Sequence, residues 1–159
     1  MAKKAKKSDY IATGTVAENH RARFDYYINE FFTAGLVLSG TEVKSLRLGH
    51  ANIRDAYGIV DKEELYIANM FIAAYENQGY ASHAERRNRK LLLHRKEVIK
   101  IINSLSRKGT TLVAVKLFFD IHGHAKLEIG LGIGKKLYDK RETAKERDWN
   151  REKARIMAH

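Results

Sequence analysis

At 159 residues and 44% hydrophobic composition the chain can bury one real core, so one domain with tails is the natural count. With no cysteine there is no disulfide framework, thiolate metal site or thiol nucleophile; no apolar run approaches the ~20 residues that span a bilayer, and the N-terminal MAKKAKKSDY lacks the apolar core of a signal peptide, which makes the cytoplasm the expected location. A net charge of +11 and a pI near 9.8 favour a polyanionic partner, nucleic acid ahead of an anionic membrane surface.

In chain order, Lys3, Lys4, Lys6 and Lys7 form a basic arm read as disordered, a solvated terminus without a role being the equal alternative. Asn19-His20-Arg21-Ala22-Arg23 then runs into Phe24, Tyr26 and Tyr27, a mixture in which guanidinium groups pair phosphates and rings stack on unpaired bases. Asp25 to Leu38 reads as two strand segments, with Gly35 as a bend or bulge between them, and alternation turns one of Tyr26 and Tyr27 inward and the other outward. Thr41 is the expected N-cap of a short helix, Glu42 to Leu48, that buries Val43 and Leu46, presents Lys44, Ser45 and Arg47 to solvent and ends at Gly49.

Ala56 to Val60 and Leu65 to Ile72 read as strands joined by the turn Asp61-Lys62-Glu63-Glu64. Gln78 to Arg89 reads as a mobile loop ending in the cations Arg86, Arg87, Arg89 and Lys90. Leu91 to Leu93 leads into a helix from about Arg95 to Ser106, with Val98, Ile101, Ile102 and Leu105 on one face. Leu112 to Asp120 and Ala125 to Leu131 form a hairpin across Ile121-His122-Gly123-His124. About six strands in hairpins, with a helix before the last pair, suit a mainly β fold with flanking helices, an oligonucleotide-binding-like Greek-key barrel; a split α+β sheet is the rival.

The last 26 residues, Gly134 to His159, carry nine Lys or Arg and five Asp or Glu, while Leu137, Tyr138, Trp149, Ile156 and Met157 are too sparse for a core-facing stripe. Such a helix is expected to be disordered in the free state and to form on a partner, with Arg147, Arg151 and Arg155 aligned at i, i+4, i+8 toward a polyanion. The run GLGIGKK fails as a phosphate loop, because Ile129 stands where the first Gly is needed and Lys136 where Ser or Thr should follow Lys135. Its Gly130, Gly132 and Gly134 read instead as a strand that another backbone or RNA approaches closely. His122 and His124 have no third ligand nearby and read as a polar turn; the acids Asp61, Glu63 and Glu64 sit in an exposed turn, and no serine stands in a nucleophile elbow. The chain is therefore read as a binder, not an enzyme, with no metal and no cofactor.

Three blocks, GTEVKSLRLGHANIRDAY (Gly40 to Tyr57), RRNRKLLLHRKE (Arg86 to Glu97) and GKKLYDKRE (Gly134 to Glu142), together resemble the small protein B family, the SsrA-binding proteins of bacteria, and the likeness continues through KERDWNREKARIM. The resemblance implies binding of transfer-messenger RNA and its delivery to stalled ribosomes for trans-translation, with the protein in place of the missing anticodon arm. It implies Asn19, Tyr26, Leu91, Lys126 and Gly134 as RNA contacts, to which we add the cations Arg21, Arg23, Lys44, Arg47, Arg89, Lys90, Lys135 and Lys136. For the tail it implies a path along the empty mRNA channel, helical on the ribosome. Tyr138 would stack on a decoding base, Asp139, Lys140 and Arg141 would lie near the decoding centre, and Ile156 and Met157 at the far end, with Arg147, Trp149, Arg151 and Arg155 between.

Further partners implied are small-subunit ribosomal RNA and the alanyl-charged complex with the elongation factor that delivers tRNA; no membrane is expected, and the protein is expected to be a monomer. The expected division is a basic arm and lead-in over 1–18, an RNA-binding barrel over 19–138 and a basic tail over 139–159. Thr33 stands where the family usually carries Glu, Phe24 where His is frequent, Ile133 where a basic residue is frequent, and Ala73 and Ala114 where prolines are common. A structural ribosomal protein with an RNA-ordered tail is the alternative reading.

Overall fold

The computed structural model describes residues 10–75 and 82–158; the lysines at 3–7 and the first part of the loop read from Gln78 lie outside them. In chain order the elements are β1 (Gly14–Glu18), α1 (Ala22–Asp25), β2 (Tyr26–Leu36), α2 (Gly40–Arg47), β3 (Ala51–Asn52), β4 (Tyr57–Asp61), β5 (Glu64–Ala68), β6 (Phe71–Ile72), β7 (Arg89–Leu92), α3 (Arg95–Leu105), β8 (Thr110–Phe119), β9 (Ala125–Gly134) and α4 (Leu137–Met157).

The long hairpin of β8 and β9 organises the sheet, because β9 pairs β8 on one side and β2 on the other. From β2 the pairing runs through β7, β5 and β4, and Tyr57 of β4 returns to Val113 of β8, closing an antiparallel barrel. Closure removes free edges, the chief liability of an isolated sheet. β1 lies along the second half of β8 as an added strand, and β3 pairs β6 outside the barrel.

Inward alternation fills the barrel with Leu112, Ala114, Leu117 and Phe119 of β8 and Leu127, Ile129 and Leu131 of β9, joined by Leu65, Ile67 and Leu91. Ile101 of α3 is fully buried in the same core, with Val98, Ile102 and Leu105 packed behind it. β8 is also covered on its outer face, where Val113 and Val115 meet Ala22, Tyr26 and Ile28, so its middle reads as a continuous apolar run rather than an alternating one.

Several local expectations change. Asp25 to Leu38 contains one uninterrupted strand, and its irregularity lies between Ile28 and Glu30, not at Gly35, where β2 passes from β9 to β7. What approaches Gly130 and Gly132 of β9 is β2: a Cβ on Gly132 would stand 2.6 Å from the Tyr27 carbonyl oxygen, and one on Gly130 2.7 Å from Ile28 Cγ2, whereas the exposed Gly134 has nothing nearer than Tyr26 Cε1 at 3.9 Å. The N-cap of α2 is Ser39, not Thr41, because Ser39 and Glu42 form a capping box, the Ser39 amide donating to Glu42 Oε1 at 3.0 Å. Ser45, expected at the surface, is buried and donates to the Ala73 carbonyl at 2.6 Å.

The first hairpin turns on Lys62 and Glu63, both at positive φ (49° and 62°), the primed geometry that strand twist favours even without glycine. The stretch read as one strand to Ile72 breaks after Ala68, where Asn69 takes φ 59°, and β6 leaves the barrel. α1, β1, β3 and β6 are too short to show a period, which accounts for nine strands and four helices among the described residues against the smaller number expected.

Candidate nucleic-acid interface

Asn19 forms the corner from which the basic-aromatic cluster projects. Its amide nitrogen donates to the carbonyls of Ala114 at 3.1 Å and Arg54 at 3.3 Å, and its Oδ1 accepts the Arg21 amide at 3.2 Å, so the side chain locks the entry to α1. Ala22 is buried beneath that turn, leaving Arg21 and Arg23 in solvent with their guanidinium carbons 5.8 Å from the Phe24 ring centre and 5.2 Å from that of Phe31. Stacked guanidinium groups keep their in-plane donors free for phosphate.

Alternation resolves the tyrosine pair as expected in kind. Tyr26 leans inward on Ala22, Val113 and Val115, while Tyr27 is 48% exposed with Lys135 Nζ 4.8 Å from its ring centre. Gly134 faces Tyr26 across the β2–β9 ladder, and the Lys135 amide donates to the Asp25 carbonyl at 2.8 Å, which fixes Lys135 and Lys136 beside α1. Tyr27 and Phe31 are thus the outward rings, and alternation beginning at a half-buried Tyr26 is the signal that finds them. Burial around the Tyr27 hydroxyl, and after it the neighbouring Asp139 carboxylate, raise its pKa above the ordinary tyrosine value.

The implied contacts do not form one cluster. Lys126 pairs with Gly35 at the other end of β9, eight residues from Gly134 and roughly 25 Å away along an extended strand. Lys44 lies elsewhere again, its ammonium 5.5 Å from the Tyr75 ring centre.

Two expected RNA contacts, Leu91 and Arg89, are corrected by their burial, and a third, Arg47, is half-buried and engaged within the chain. Leu91 is a core residue, 3% exposed. Arg89 is fully buried and pairs with Glu42 while donating to the carbonyls of Met70, Arg87 and Glu85; it ties the loop before β7 to α2. Arg47 turns inward onto the Phe119 ring at 3.7 Å and donates to the carbonyls of Ile11, Ala12 and Gly123, clamping the lead-in and the β8–β9 turn to α2. Lys90 is half exposed and pairs with Glu64 at 3.0 Å. Position in sequence gave no sign of these roles, because a buried cation is recognisable only from its distant partner.

Glu42 is the centre of the Arg89 knot. Burial alone would raise its pKa, yet hydrogen bonds from Arg87, the Ser39 amide and Arg89 outweigh that and hold it at about 2. At the β8–β9 turn, Asp120 Oδ1 accepts the amides of His124 at 2.8 Å and His122 at 3.0 Å, an acid-capped polar turn, and the His124 amide leads the causes that lower the Asp120 pKa.

α4 runs for 21 residues, about 32 Å, and buries none of them. Its base touches the barrel through polar groups: Lys140 pairs with Asp25 at 3.3 Å, Lys135 Nζ donates to Thr143 Oγ1 at 3.0 Å, and the Arg147 guanidinium lies 5.5 Å from the Phe24 ring centre. Beyond Arg147 it carries Trp149, Arg151, Arg155, Ile156 and Met157 into solvent, and Tyr138 at its first turn is 71% exposed. Asp139 and Lys140 are partly covered by the barrel, whereas Arg141 is exposed.

A family model described as SmpB protein matches residues 16–159. An SsrA-binding protein of Caulobacter vibrioides is 54% identical over 142 residues, covering 89% of this chain and 93% of the relative. One from Paracoccus denitrificans is 50% identical over 142 residues, covering 89% and 91%. A chain of the solved structure described as "tmRNA-SmpB: a journey to the center of the bacterial ribosome" superposes with a TM-score of 0.67 at 42% identity, covering 84% of this chain and 94% of that one.

Proposed function

The chain belongs to the SmpB family, and from that premise we propose that it binds transfer-messenger RNA and brings it to stalled ribosomes for trans-translation. The observation that carries this reading is the cluster around α1, where Arg23 and Lys135 stand beside the outward rings of Phe31 and Tyr27, and Arg21 beside the half-buried Phe24. Cations over exposed rings, held by a rigid corner at Asn19, suit a folded RNA that presents phosphates and unpaired bases together.

In this reading the barrel, 19–138, is the RNA-binding unit and occupies the space of the missing anticodon arm. The tail, 139–159, serves the ribosome by lying in the empty mRNA channel, Tyr138 being the ring offered to a decoding base, with Asp139, Lys140 and Arg141 beside the decoding centre. The protein works by binding, without a covalent step, in the cytoplasm and as a monomer. Among the described residues no helix is long and apolar enough to cross a membrane. Crosslinking the protein to RNA in cells and sequencing the bound RNA tests the proposal: transfer-messenger RNA should dominate, and recovery of ribosomal RNA alone would overturn it in favour of a structural ribosomal protein.

A further inference from the structure

α3 ends at Leu105, and the chain turns back through Gly109, at φ 84°, to start β8 at Thr110. The turn sets Arg107 and Lys108 beside a cleft of about 530 Å³ between α3 and the paired strands β2 and β9. Opposite them, Asn29 stands at the β2 irregularity, and Asn103 lies one turn back on α3. The floor is the buried Leu131 and Gly132, and the rim is the half-exposed Ile133. Of the cations lining the cleft, Lys100 is occupied by Glu30 at 2.6 Å, whereas Arg107 and Lys108 have no acidic partner among the described residues.

We propose that this cleft holds one nucleotide of the bound transfer-messenger RNA, its two flanking phosphates on Arg107 and Lys108, its polar edges on Asn29 and Asn103, and its sugar and base against Ile133. The chemistry fits the lining: two free cations for phosphodiester oxygens, amides that both donate and accept, and an apolar wall. The source of the RNA follows from continuity. Ile133 pairs with Tyr27 and precedes Gly134, so the cleft adjoins the basic-aromatic face, and a strand leaving Tyr27 would enter it. The inference rests on the proposed function.

The test compares the full chain with the double variant R107A/K108A and with N103D in a gel shift against transfer-messenger RNA at several salt concentrations. All these side chains are exposed, so melting temperatures should stay at the wild-type value. The double variant should lose roughly tenfold in affinity, and its log–log salt slope should become shallower by about one to two units. N103D, which puts a carboxylate beside the phosphates, should weaken binding in the same assay. Equal affinity and slope for wild type and double variant overturn the cleft assignment, as does weakened binding to small ribosomal subunits alone. Failure of the wild-type chain to bind the RNA would instead overturn the proposed function itself.

Discussion

Glu42 shows how a single side chain holds the architecture around the interface. It caps α2, accepts from Arg87 and is the sole acidic partner of the fully buried Arg89 among the described residues. Removing it strands a buried guanidinium, so Glu42→Ala should lower stability by about 3–5 kcal/mol, read from urea unfolding at neutral pH. The pH dependence has a definite sign. The folded pKa, about 2, lies below the ordinary value, 4.5, so this stabilisation is fully present above 4.5 and drains away as pH falls toward 2. A Glu42→Gln protein should therefore show a flatter acid-unfolding profile than wild type across that window. The reverse logic applies at Lys62 and Glu63, which hold positive φ without glycine. Replacing them with Asn-Gly should raise stability by about 0.5–1 kcal/mol and leave RNA affinity unchanged, because the turn carries neither core nor proposed contact. A drop in melting temperature would contradict the turn assignment.

Elements with a strong period were legible from the amino-acid sequence; those defined by distant partners were not. The stripe Val98, Ile101, Ile102, Leu105 marked α3 to within a residue, and the long apolar runs marked β8 and β9. β3 and β6 pair over two residues each, too few to alternate. Arg89 and Arg47 sit in cationic surroundings typical of a surface, and only the fold brings carbonyls and Glu42 to them. The basic-aromatic cluster was legible because α1 and β2 are contiguous, whereas the cleft beside Arg107 joins segments far apart in sequence.

α4 lies between these cases: its composition marks a helix without a core face, and it buries no residue. Its docking through Lys140–Asp25 and Lys135–Thr143 is of the partly exposed polar kind, worth roughly 0–1 kcal/mol for an ion pair. We therefore expect amides beyond Lys140 to exchange quickly with solvent in the free protein and to become protected on the ribosome; protection in the free protein would contradict a partner-dependent helix. Replacing Ile156 and Met157, 71% and 78% exposed, with Asp should leave the melting temperature unchanged while impairing rescue in a translation assay.

At the scale of the whole molecule, a closed barrel with an excess of cations is joined to a basic helix that has almost no hold on it. With Arg89 buried and Arg47 committed to contacts within the chain, the cations proposed for phosphate outside the cleft are Arg21, Arg23, Lys126, Lys135 and Lys136, set on two separated parts of the surface. Outside the cleft, five phosphate contacts would contribute about −4 to the log–log salt slope, between the single-strand and duplex limits, and the two proposed in the cleft would steepen it by a further one to two units. Arg23→Ala should flatten it by about one unit, and an unchanged slope would mark Arg23 as a bystander. The two units make different demands on a partner: the barrel offers a rigid face ready to bind, while the tail needs a surface that supplies its missing contacts. In the proposed function the first holds the RNA and the second serves the ribosome. Deleting residues 139–159 tests it most directly, with transfer-messenger RNA binding and rescue of stalled ribosomes measured on the same preparation. RNA affinity should stay near the wild-type value with rescue abolished; loss of RNA binding by a still-folded barrel, or rescue without the tail, would show that the two roles are not divided in this way.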